Sequence, residues 1–122
     1  MKLHLNQAGG RNAFTGYGEG YVLVNGVRHE LNLLVVPDSP VAVWAVQDPS
    51  AMSAEQVSHL AGLDAEVLLI GTGPRLRFPP PKLLQPLFRA GIGVEIMDTP
   101  AACRTYNILM GEGRKVAAAL IL

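Results

Sequence analysis

Three apolar segments with the composition of buried strands lie in the second half of the chain, and they restrict its fold more than any other feature. They are "EVLLIGTG" (66–73), "GVEIM" (93–97) and "KVAAALIL" (115–122), and helix-like segments separate them. Strands that alternate with helices require crossover connections, which place the strands in parallel in one sheet and the helices on its faces. The order of these segments therefore predicts an α/β fold.

The first half of the chain contains the strongest local signal for a β-hairpin. Asn25-Gly26 separates the apolar run "YVLV" (21–24) from "VRHELNLLVV" (27–36), and Pro37 ends the second arm. An Asn-Gly pair between two β-branched runs is typical of a two-residue hairpin turn. These residues therefore predict an antiparallel hairpin.

The rest of the first half predicts a loop and one more strand. Residues 9–20 are rich in glycine and predict a loop, whereas "VAVWAV" (41–46) is apolar on both faces and predicts an internal strand. We therefore expect residues 1–122 to form a single α/β domain. In that domain helices cover a mixed sheet, and the antiparallel hairpin lies at one side.

Two helices between the strands are indicated by capping residues and apolar periodicity. Ser53 and Gln56 have the spacing of a capping box, and Gly62 follows the last apolar position of that helix. The segment "KLLQPLFRAG" (82–91) predicts a second helix. Pro86 should kink or shorten it, because proline lacks an amide donor and clashes with the preceding turn.

A third helix is predicted within "MDTPAACRTYNIL" (97–109). Pro100 suits the first helical position, which makes Thr99 the N-cap and leaves Asp98 just outside, near the positive end of the helix. Gly111 should end the helix. This phasing predicts an apolar stripe at Ala102, Cys103, Tyr106, Leu109 and Met110, and a separate face at Arg104, Asn107 and Gly111.

Cys103 is the only cysteine, and it has two interpretations. A nucleophilic cysteine needs a base and partial exposure, but no histidine is near it in sequence. A buried cysteine behaves as a small hydrophobic residue, and its place in the apolar stripe favours this interpretation. We therefore assign no catalytic residue, no metal ligands and no cofactor from the sequence.

The segment "GTGPR" (71–75), in which the strand predicted at 66–73 runs into a glycine turn, also has two interpretations. Glycines between a strand and a helix bind phosphate in many α/β proteins, and Arg75 and Arg77 would add charged contacts. The motif at Gly71, Thr72 and Gly73, however, lacks the third glycine of a dinucleotide-binding motif and the Gly-Lys-Ser/Thr of a P-loop, and prolines follow it. A structural turn is the favoured interpretation.

Arg104, Asn107 and Trp44 also leave alternatives open. Arg104 and Asn107 either form a solvated face, or Arg104 pairs with Asp98 across the first turns. The other interpretation is a polar patch beside the carboxyl ends of the strands, where open α/β sheets bind ligands. Trp44 either stacks on a ligand or packs in the core, and the large area that an indole buries favours the core.

Charge and composition exclude some classes of partner. The formal net charge is zero, so the basic surface of a nucleic-acid binder is not expected, and the net charge gives no attraction to anionic membranes. The apolar runs are too short to insert in a bilayer. Because residues 1–10 have no signal or transit pattern, we expect a cytoplasmic protein; its low charge leaves self-association open.

Three blocks of the sequence resemble a known family. They are "GYGEGYVLVNG", "LLIGTGPRLRFPP" and "AGIGVEIMDTPAACRTYNILMGEGRKVAAALI", and they extend from about Gly16 to Ile121. The chain is similar to the small uncharacterised-domain family that includes mitochondrial complex I assembly factor 3 and the adipogenesis-associated domain protein. The resemblance implies a three-layer α/β fold around a central mixed sheet and no established enzyme activity.

The resemblance also implies a set of important positions. Those that match the family pattern are Gly71, Thr72, Gly73, Asp98, Thr99, Ala102, Arg104, Tyr106, Asn107, Gly113 and Arg114. The chain departs from the pattern near Asn32, where the family favours a small hydroxyl residue.

Two functions follow as hypotheses. The first is a non-catalytic interaction or assembly module related to complex I assembly factors, with a protein partner such as a subunit of a membrane or respiratory complex. The alternative is a binding protein or enzyme that binds a small molecule or anion through the "GTGP" loop with Asp98, Arg104 and Asn107. The candidate surface for either is Gly71, Thr72, Gly73, Arg75, Asp98, Thr99, Arg104 and Asn107.

Overall fold

The computed structural model describes residues 10–122, which contain eight strands and three α-helices. The strands are β1 (Phe14–Gly18), β2 (Tyr21–Val24), β3 (Val27–His29), β4 (Leu33–Val35), β5 (Ala42–Val43), β6 (Val67–Thr72), β7 (Gly93–Met97) and β8 (Val116–Ile121). The helices are α1 (Ala54–Ala61), α2 (Gln85–Arg89) and α3 (Thr99–Gly111), with short 3₁₀ turns at Pro49–Ala51 and Pro81–Leu84.

The strands form two sheets. A five-stranded mixed sheet has the order β5-β4-β8-β6-β7, in which β8, β6 and β7 are parallel and β4 runs antiparallel to β8. A three-stranded antiparallel sheet, which we call the small sheet, has the order β1-β2-β3. This arrangement confirms the predicted α/β fold with a mixed sheet.

Helices cover both faces of the mixed sheet, and a separate apolar core lies on each face. Side chains of β6 and β8 alternate between these cores, since successive residues of a strand point to opposite faces. The core on one face joins the mixed sheet to α3 and the small sheet and includes Phe14, Leu69, Tyr106 and Ala118. The core on the other face joins it to α1 and α2 and includes Leu60, Leu68, Leu87 and Ala119.

The hairpin predicted at Asn25-Gly26 is confirmed between β2 and β3. Asn25 has φ 51° and Gly26 has φ 80°, the left-handed values that a two-residue hairpin turn requires. The loop predicted for residues 9–20 is wrong over β1, and residue 9 lies outside the described residues. Pairing with β2 outweighs the low strand propensity of glycine in β1.

The prediction of one continuous second hairpin arm is wrong, because this segment forms two strands that lie in different sheets. Residues 27–29 pair with β2, whereas residues 33–35 pair with β8 in the mixed sheet. Asn32 lies where the chain passes from one sheet to the other, and its side chain holds this point. Its Nδ2 donates to the Val46 carbonyl at 2.8 Å, and its Oδ1 accepts from the Leu122 backbone amide at 2.9 Å. Asn32, near which the chain departs from the family pattern, thus links the end of β8 to the segment that follows β5.

The internal strand predicted for residues 41–46 is also wrong. Only Ala42–Val43 forms a strand, at an exposed edge of the mixed sheet. The chain then leaves the edge, and the Trp44 amide donates to the Asn32 carbonyl at 2.7 Å. The Trp44 side chain is buried in the core with α1 and α2, as the favoured interpretation of this residue predicted.

The first two helices agree with their capping and proline signals. Ser53 and Gln56 form the reciprocal capping box of α1, and the amide of Gly62 caps its carboxyl end. Pro86 lies in the first turn of α2, which is only five residues long and follows a 3₁₀ turn. The expected shortening of this helix is therefore confirmed.

Candidate functional site

The start of α3 is capped by Asp98, so the prediction of Thr99 as the N-cap is wrong. Asp98 has extended backbone angles, and its carboxylate accepts a hydrogen bond from the Ala101 amide at 2.8 Å. A carboxylate at this position also interacts favourably with the helix dipole. Thr99 is thereby moved into the first turn, and its hydroxyl is available for other contacts.

Thr99 joins the start of α3 to the ends of two strands. Its hydroxyl accepts a hydrogen bond from the Gly73 amide at 2.9 Å and donates one to the Ile121 carbonyl. Its own amide donates to the Gly73 carbonyl at 2.9 Å. A Cβ on Gly71 would lie 2.9 Å from the Thr99 hydroxyl and 2.7 Å from the Leu120 side chain, so only glycine permits this approach.

Thr72 closes the loop that follows β6. Its hydroxyl donates to the Arg75 carbonyl at 2.7 Å and accepts from the Arg77 amide at 3.1 Å. We call residues Gly71–Gly73 the inner turn, since its polar groups bond to neighbouring strands, to α3 or to the loop itself. Two amides that a phosphate could use, those of Gly73 and Arg77, are already bonded to threonine hydroxyls.

Arg104 connects α3 to the small sheet. Its guanidinium donates to the Tyr17 hydroxyl at 2.7 Å, and its central carbon lies 5.9 Å from the centre of the Tyr17 ring. Within the described part of the chain no ion pair joins Arg104 to Asp98, so the pairing considered for them is wrong. Arg104 remains exposed, which leaves its remaining donors accessible.

Asn107 is buried, so its predicted place on an exposed face with Arg104 is wrong. Its side-chain oxygen accepts from the Phe14 amide at 2.9 Å, and its side-chain nitrogen donates to the Phe14 carbonyl at 2.8 Å. Asn107 thus pairs with the backbone of β1 as a neighbouring strand would. Because α3 packs against both sheets, its buried surface is wider than a single apolar stripe.

The predicted apolar stripe of α3 is otherwise confirmed. Cys103 is fully buried, and burial raises the pKa of its thiol from 9.0 to about 12. Tyr106 meets Phe14 edge to face, donates its hydroxyl to the Asn12 carbonyl at 2.9 Å, and has a pKa raised by burial. Both groups stay protonated at neutral pH, so the Cys103 sulfur is a thiol rather than a nucleophilic thiolate.

A cleft of about 580 Å³ lies between the tip of the small sheet and the carboxyl edge of the mixed sheet. Two candidate residues, Gly73 and Thr99, line it; Arg104 reaches its rim through Tyr17. The other lining residues are Tyr17, Gly18, Glu19, Gly20, Tyr21, Pro74, Pro100 and Leu122; Pro74 belongs to the predicted "GTGP" loop, and the rest were not among the candidate residues. Two tyrosines around a Gly-Glu-Gly turn are the local signal for this wall.

The remaining candidate residues lie around this cleft or away from it. Gly71 and Thr72 lie beneath it, Arg75 follows its wall residue Pro74, and Asn107 is bound to β1. Among residues 10–122 no three His, Cys, Asp or Glu side chains are grouped to hold a metal ion. No helix of the described chain has the length and apolar character needed to cross a bilayer.

Gly113 and Arg114, two of the positions that match the family pattern, have structural roles. Gly113 has φ 79° after the end of α3, and Arg114 forms an exposed ion pair with Glu66 at 3.2 Å. An exposed pair of this kind contributes less than about 1 kcal/mol to stability. These residues direct the chain from α3 into β8.

Comparisons with known proteins show relatives in animals and bacteria. NADH dehydrogenase [ubiquinone] 1 alpha subcomplex assembly factor 3 of Danio rerio is 44% identical over 80 residues, which are 64% of this chain and 46% of the relative. The Bos taurus protein of the same name is 36% identical over 107 residues, which are 86% of this chain and 58% of the relative. The chain thus spans about half the length of these curated relatives.

A solved structure has the same fold as this chain. The crystal structure of a Bordetella parapertussis protein has a TM-score of 0.85 and 48% sequence identity, with coverage of 94% of this chain and 98% of that one. The family described as "Protein of unknown function (DUF498/DUF598)" matches residues 14–121. Since this match includes both sheets and all three helices, the chain belongs to the DUF498/DUF598 family.

Proposed function

We propose that this protein is a non-catalytic interaction module that assists the assembly of a membrane-bound respiratory complex, with complex I as the first candidate. The support is its similarity to assembly factors of NADH dehydrogenase, over 86% of the chain in the Bos taurus protein. We place this activity in the cytoplasm. The chain has a single, unpaired cysteine, which agrees with a reducing compartment.

The observation that carries the proposal is the cleft at the carboxyl edge of the mixed sheet. Its walls are mainly apolar, and they combine the rings of Tyr17 and Tyr21 with Pro74 and Pro100. Arg104 is exposed beside it and hydrogen-bonded to Tyr17. Tyrosine and arginine at the border of an apolar depression are the residues that contribute most to binding at protein interfaces.

The polar groups around the cleft favour a binding role over catalysis. The Asp98 carboxylate caps α3, and the Thr99 hydroxyl is bonded to two strand ends. Cys103 is buried as a neutral thiol. A catalytic site needs a nucleophile or base that can reach a substrate, whereas Asp98 and Thr99 already have structural partners and Cys103 is buried.

The proposal is tested with a photo-crosslinking amino acid placed in the cleft in the native host. Tyr21, in the cleft wall, is the test position, and Phe88, which is 51% exposed on α2 at the other face of the mixed sheet, is the matched control. We expect the probe at position 21 to capture a subunit of the NADH dehydrogenase complex, identified by mass spectrometry. Capture of the same proteins from both positions would contradict a specific interface at the cleft.

A variant of Arg104 tests whether binding and folding are separate. Arg104→Ala removes the exposed guanidinium, whereas Tyr17→Phe removes only the hydroxyl that it contacts. We expect Arg104→Ala to weaken partner capture by about tenfold or more, as interface arginines do, with a melting temperature close to that of wild type. Normal amounts of the NADH dehydrogenase complex on native gels after deletion of the gene would overturn the assembly role.

A further inference from the structure

The net charge of zero conceals a strong separation of charge along the chain. Residues 67–94 contain four cations, Arg75, Arg77, Lys82 and Arg89, and no acidic residue. The rest of the chain has six cations and ten acids, a net charge of −4. The expectation that the chain has no attraction to anionic surfaces used only the total and missed this distribution.

Three of these cations lie in one exposed loop, Arg75–Lys82, which we call the outer loop. It follows the inner turn and precedes α2, and its cations alternate with large apolar side chains. Leu76 is 51% exposed and Phe78 is 70% exposed, the highest value among the exposed large hydrophobic residues described. Exposed apolar groups of this size, surrounded by cations, indicate an interaction site rather than an ordinary surface.

The outer loop is held in place at both ends. The Arg77 amide is bonded to Thr72, the Pro79 ring is buried, and Leu84 anchors the following turn in the core. Proline residues 79–81 further restrict the backbone. Because the loop is already ordered, little conformational entropy is lost when it binds.

The cations of the outer loop are exposed. None of them forms an ion pair within residues 10–122. Asp98, which follows the neighbouring strand β7, accepts a hydrogen bond from the α3 backbone instead. The loop thus presents a positive field with its apolar side chains directed into solvent.

We propose that the outer loop binds the surface of an anionic membrane, with Leu76 and Phe78 in the interface and Arg75, Arg77 and Lys82 on lipid phosphates. Basic residues near an anionic leaflet are attracted to it, and their aliphatic stems remain in the apolar zone. Leu76 and Phe78 line neither the cleft beside the small sheet nor either of two further clefts among residues 10–122. A bilayer receives such separate apolar side chains without a complementary pocket, whereas an acidic protein would have to supply one.

This inference goes beyond the proposed assembly function and does not depend on it. The cleft and the outer loop are formed by different side chains, so their variants separate the two activities. A protein that binds its partner at the cleft would be positioned by the outer loop at the membrane where a respiratory complex is built.

The test is co-sedimentation of the full chain with vesicles of phosphatidylcholine alone or of equimolar phosphatidylcholine and phosphatidylglycerol. We expect binding to the anionic vesicles only, and its loss at high salt. Arg75→Gln with Arg77→Gln should weaken binding about 25-fold, at about fivefold per cation. Phe78→Ser should weaken it about tenfold, because its ring no longer leaves water.

Ile108→Ser is the matched control. Ile108 is 62% exposed on α3, so the substitution removes a comparable apolar side chain from another surface. We expect unchanged vesicle binding for this variant. Equal losses for Ile108→Ser and Phe78→Ser, equal binding to both vesicle types, or capture of an acidic protein by the loop without vesicle binding would each overturn the lipid proposal.

A spectroscopic measurement makes the result independent of sedimentation. Phe78→Trp places an indole in the loop, while the native Trp44 is only 4% exposed and gives a constant background. Anionic vesicles should shift the emission of the variant to shorter wavelength and allow quenching by brominated lipids. An emission spectrum that vesicles leave unchanged would contradict insertion of this side chain.

Discussion

The inner turn and the outer loop are neighbours in sequence, but they differ in where their polar groups find partners. In the inner turn, Thr72 and Gly73 are buried and bonded to α3, β7 or the loop backbone. In the outer loop, Arg75, Leu76 and Phe78 are exposed. Both regions have the composition of a binding loop, yet only the outer loop has groups free to bind.

Glycine and threonine after a strand do not by themselves indicate a phosphate site. What decides is whether a second element satisfies the amides, and here the Thr99 hydroxyl does so for Gly73. An amide that is already bonded gains little from an anion, since a new hydrogen bond only replaces the old one.

Gly71→Val should destabilise the protein most, by about 3 kcal/mol, because overpacking forces the neighbours to move. A Cβ there would overlap Leu120 and approach the Thr99 backbone at 3.1 Å. The measurement is urea unfolding. Gly111→Ala is the control: it has open space around its Cβ position at the end of α3, and should be neutral or stabilising by up to about 1 kcal/mol. Equal stability of the two variants would refute the close packing of the inner turn.

Asn107→Ala should lower the free energy of unfolding by about 2.5 kcal/mol, because it leaves a buried amide and a buried carbonyl of Phe14 without partners. Ile108→Ala, at the next and exposed position, should change it by less than about 0.5 kcal/mol. Thermal and chemical unfolding of both variants give the comparison. A small effect at Asn107 would mean that β1 does not depend on α3.

Thr99→Val should destabilise the protein by about 2 kcal/mol, because the buried Gly73 amide loses its acceptor and the Ile121 carbonyl loses its donor. Thr99→Ser keeps the hydroxyl and should recover most of this loss. Amide hydrogen exchange at Gly73 is the direct readout. Unchanged protection in Thr99→Val would show that this hydroxyl does not hold the inner turn closed.

Alkaline pH should destabilise the protein through Cys103. Its pKa is about 12 in the folded state against 9.0 ordinarily, so the unfolded state loses its proton first. This contribution is fully present below pH 9 and is lost as the pH rises from 9 to 12, by about 1.4 kcal/mol per pH unit for one proton. Unfolding of wild type and Cys103→Ala at several alkaline pH values checks this. An equal slope for both would assign the loss to other groups, such as Tyr106.

Substitutions in the outer loop should have the smallest effect on stability. Arg75→Gln and Phe78→Ser should each change the free energy of unfolding by less than about 0.5 kcal/mol, because both side chains are exposed. Differential scanning fluorimetry at matched concentration measures this. A loss as large as that of Thr99→Val would make the outer loop part of the structural core and would undo the contrast with the inner turn.

Much of the fold was predictable because its signals are local. The capping box at Ser53 and Gln56, the turn at Asn25-Gly26 and the shortening at Pro86 depend on residues within a few positions of one another. The apolar stripe of α3 was predictable for the same reason. Such features follow from backbone sterics and short-range hydrogen bonds, which the sequence displays directly.

The errors occurred where the partner lies far away in the sequence. Asn107 is polar but bonds to Phe14, which is 93 residues away, and the arm after Asn25-Gly26 divides between two sheets. Threonine is a common N-cap residue, but the Thr99 hydroxyl bonds to Gly73 and Ile121, and Asp98 is the N-cap instead. No periodicity identifies such partners, since it reports burial and not the identity of the neighbour.

The sequence by itself determined the alternation of strands and helices, the turn of the hairpin and the buried state of Cys103. It also held the charge separation of residues 67–94, which only a count by segment reveals. Only the packing of the chain shows that the polar groups of the inner turn are bonded, whereas the side chains of Arg75, Arg77 and Lys82 form no ion pair within residues 10–122. The physical reason is that a hydrogen bond or an ion pair requires two groups at the right distance, and only the packing of distant segments brings them there.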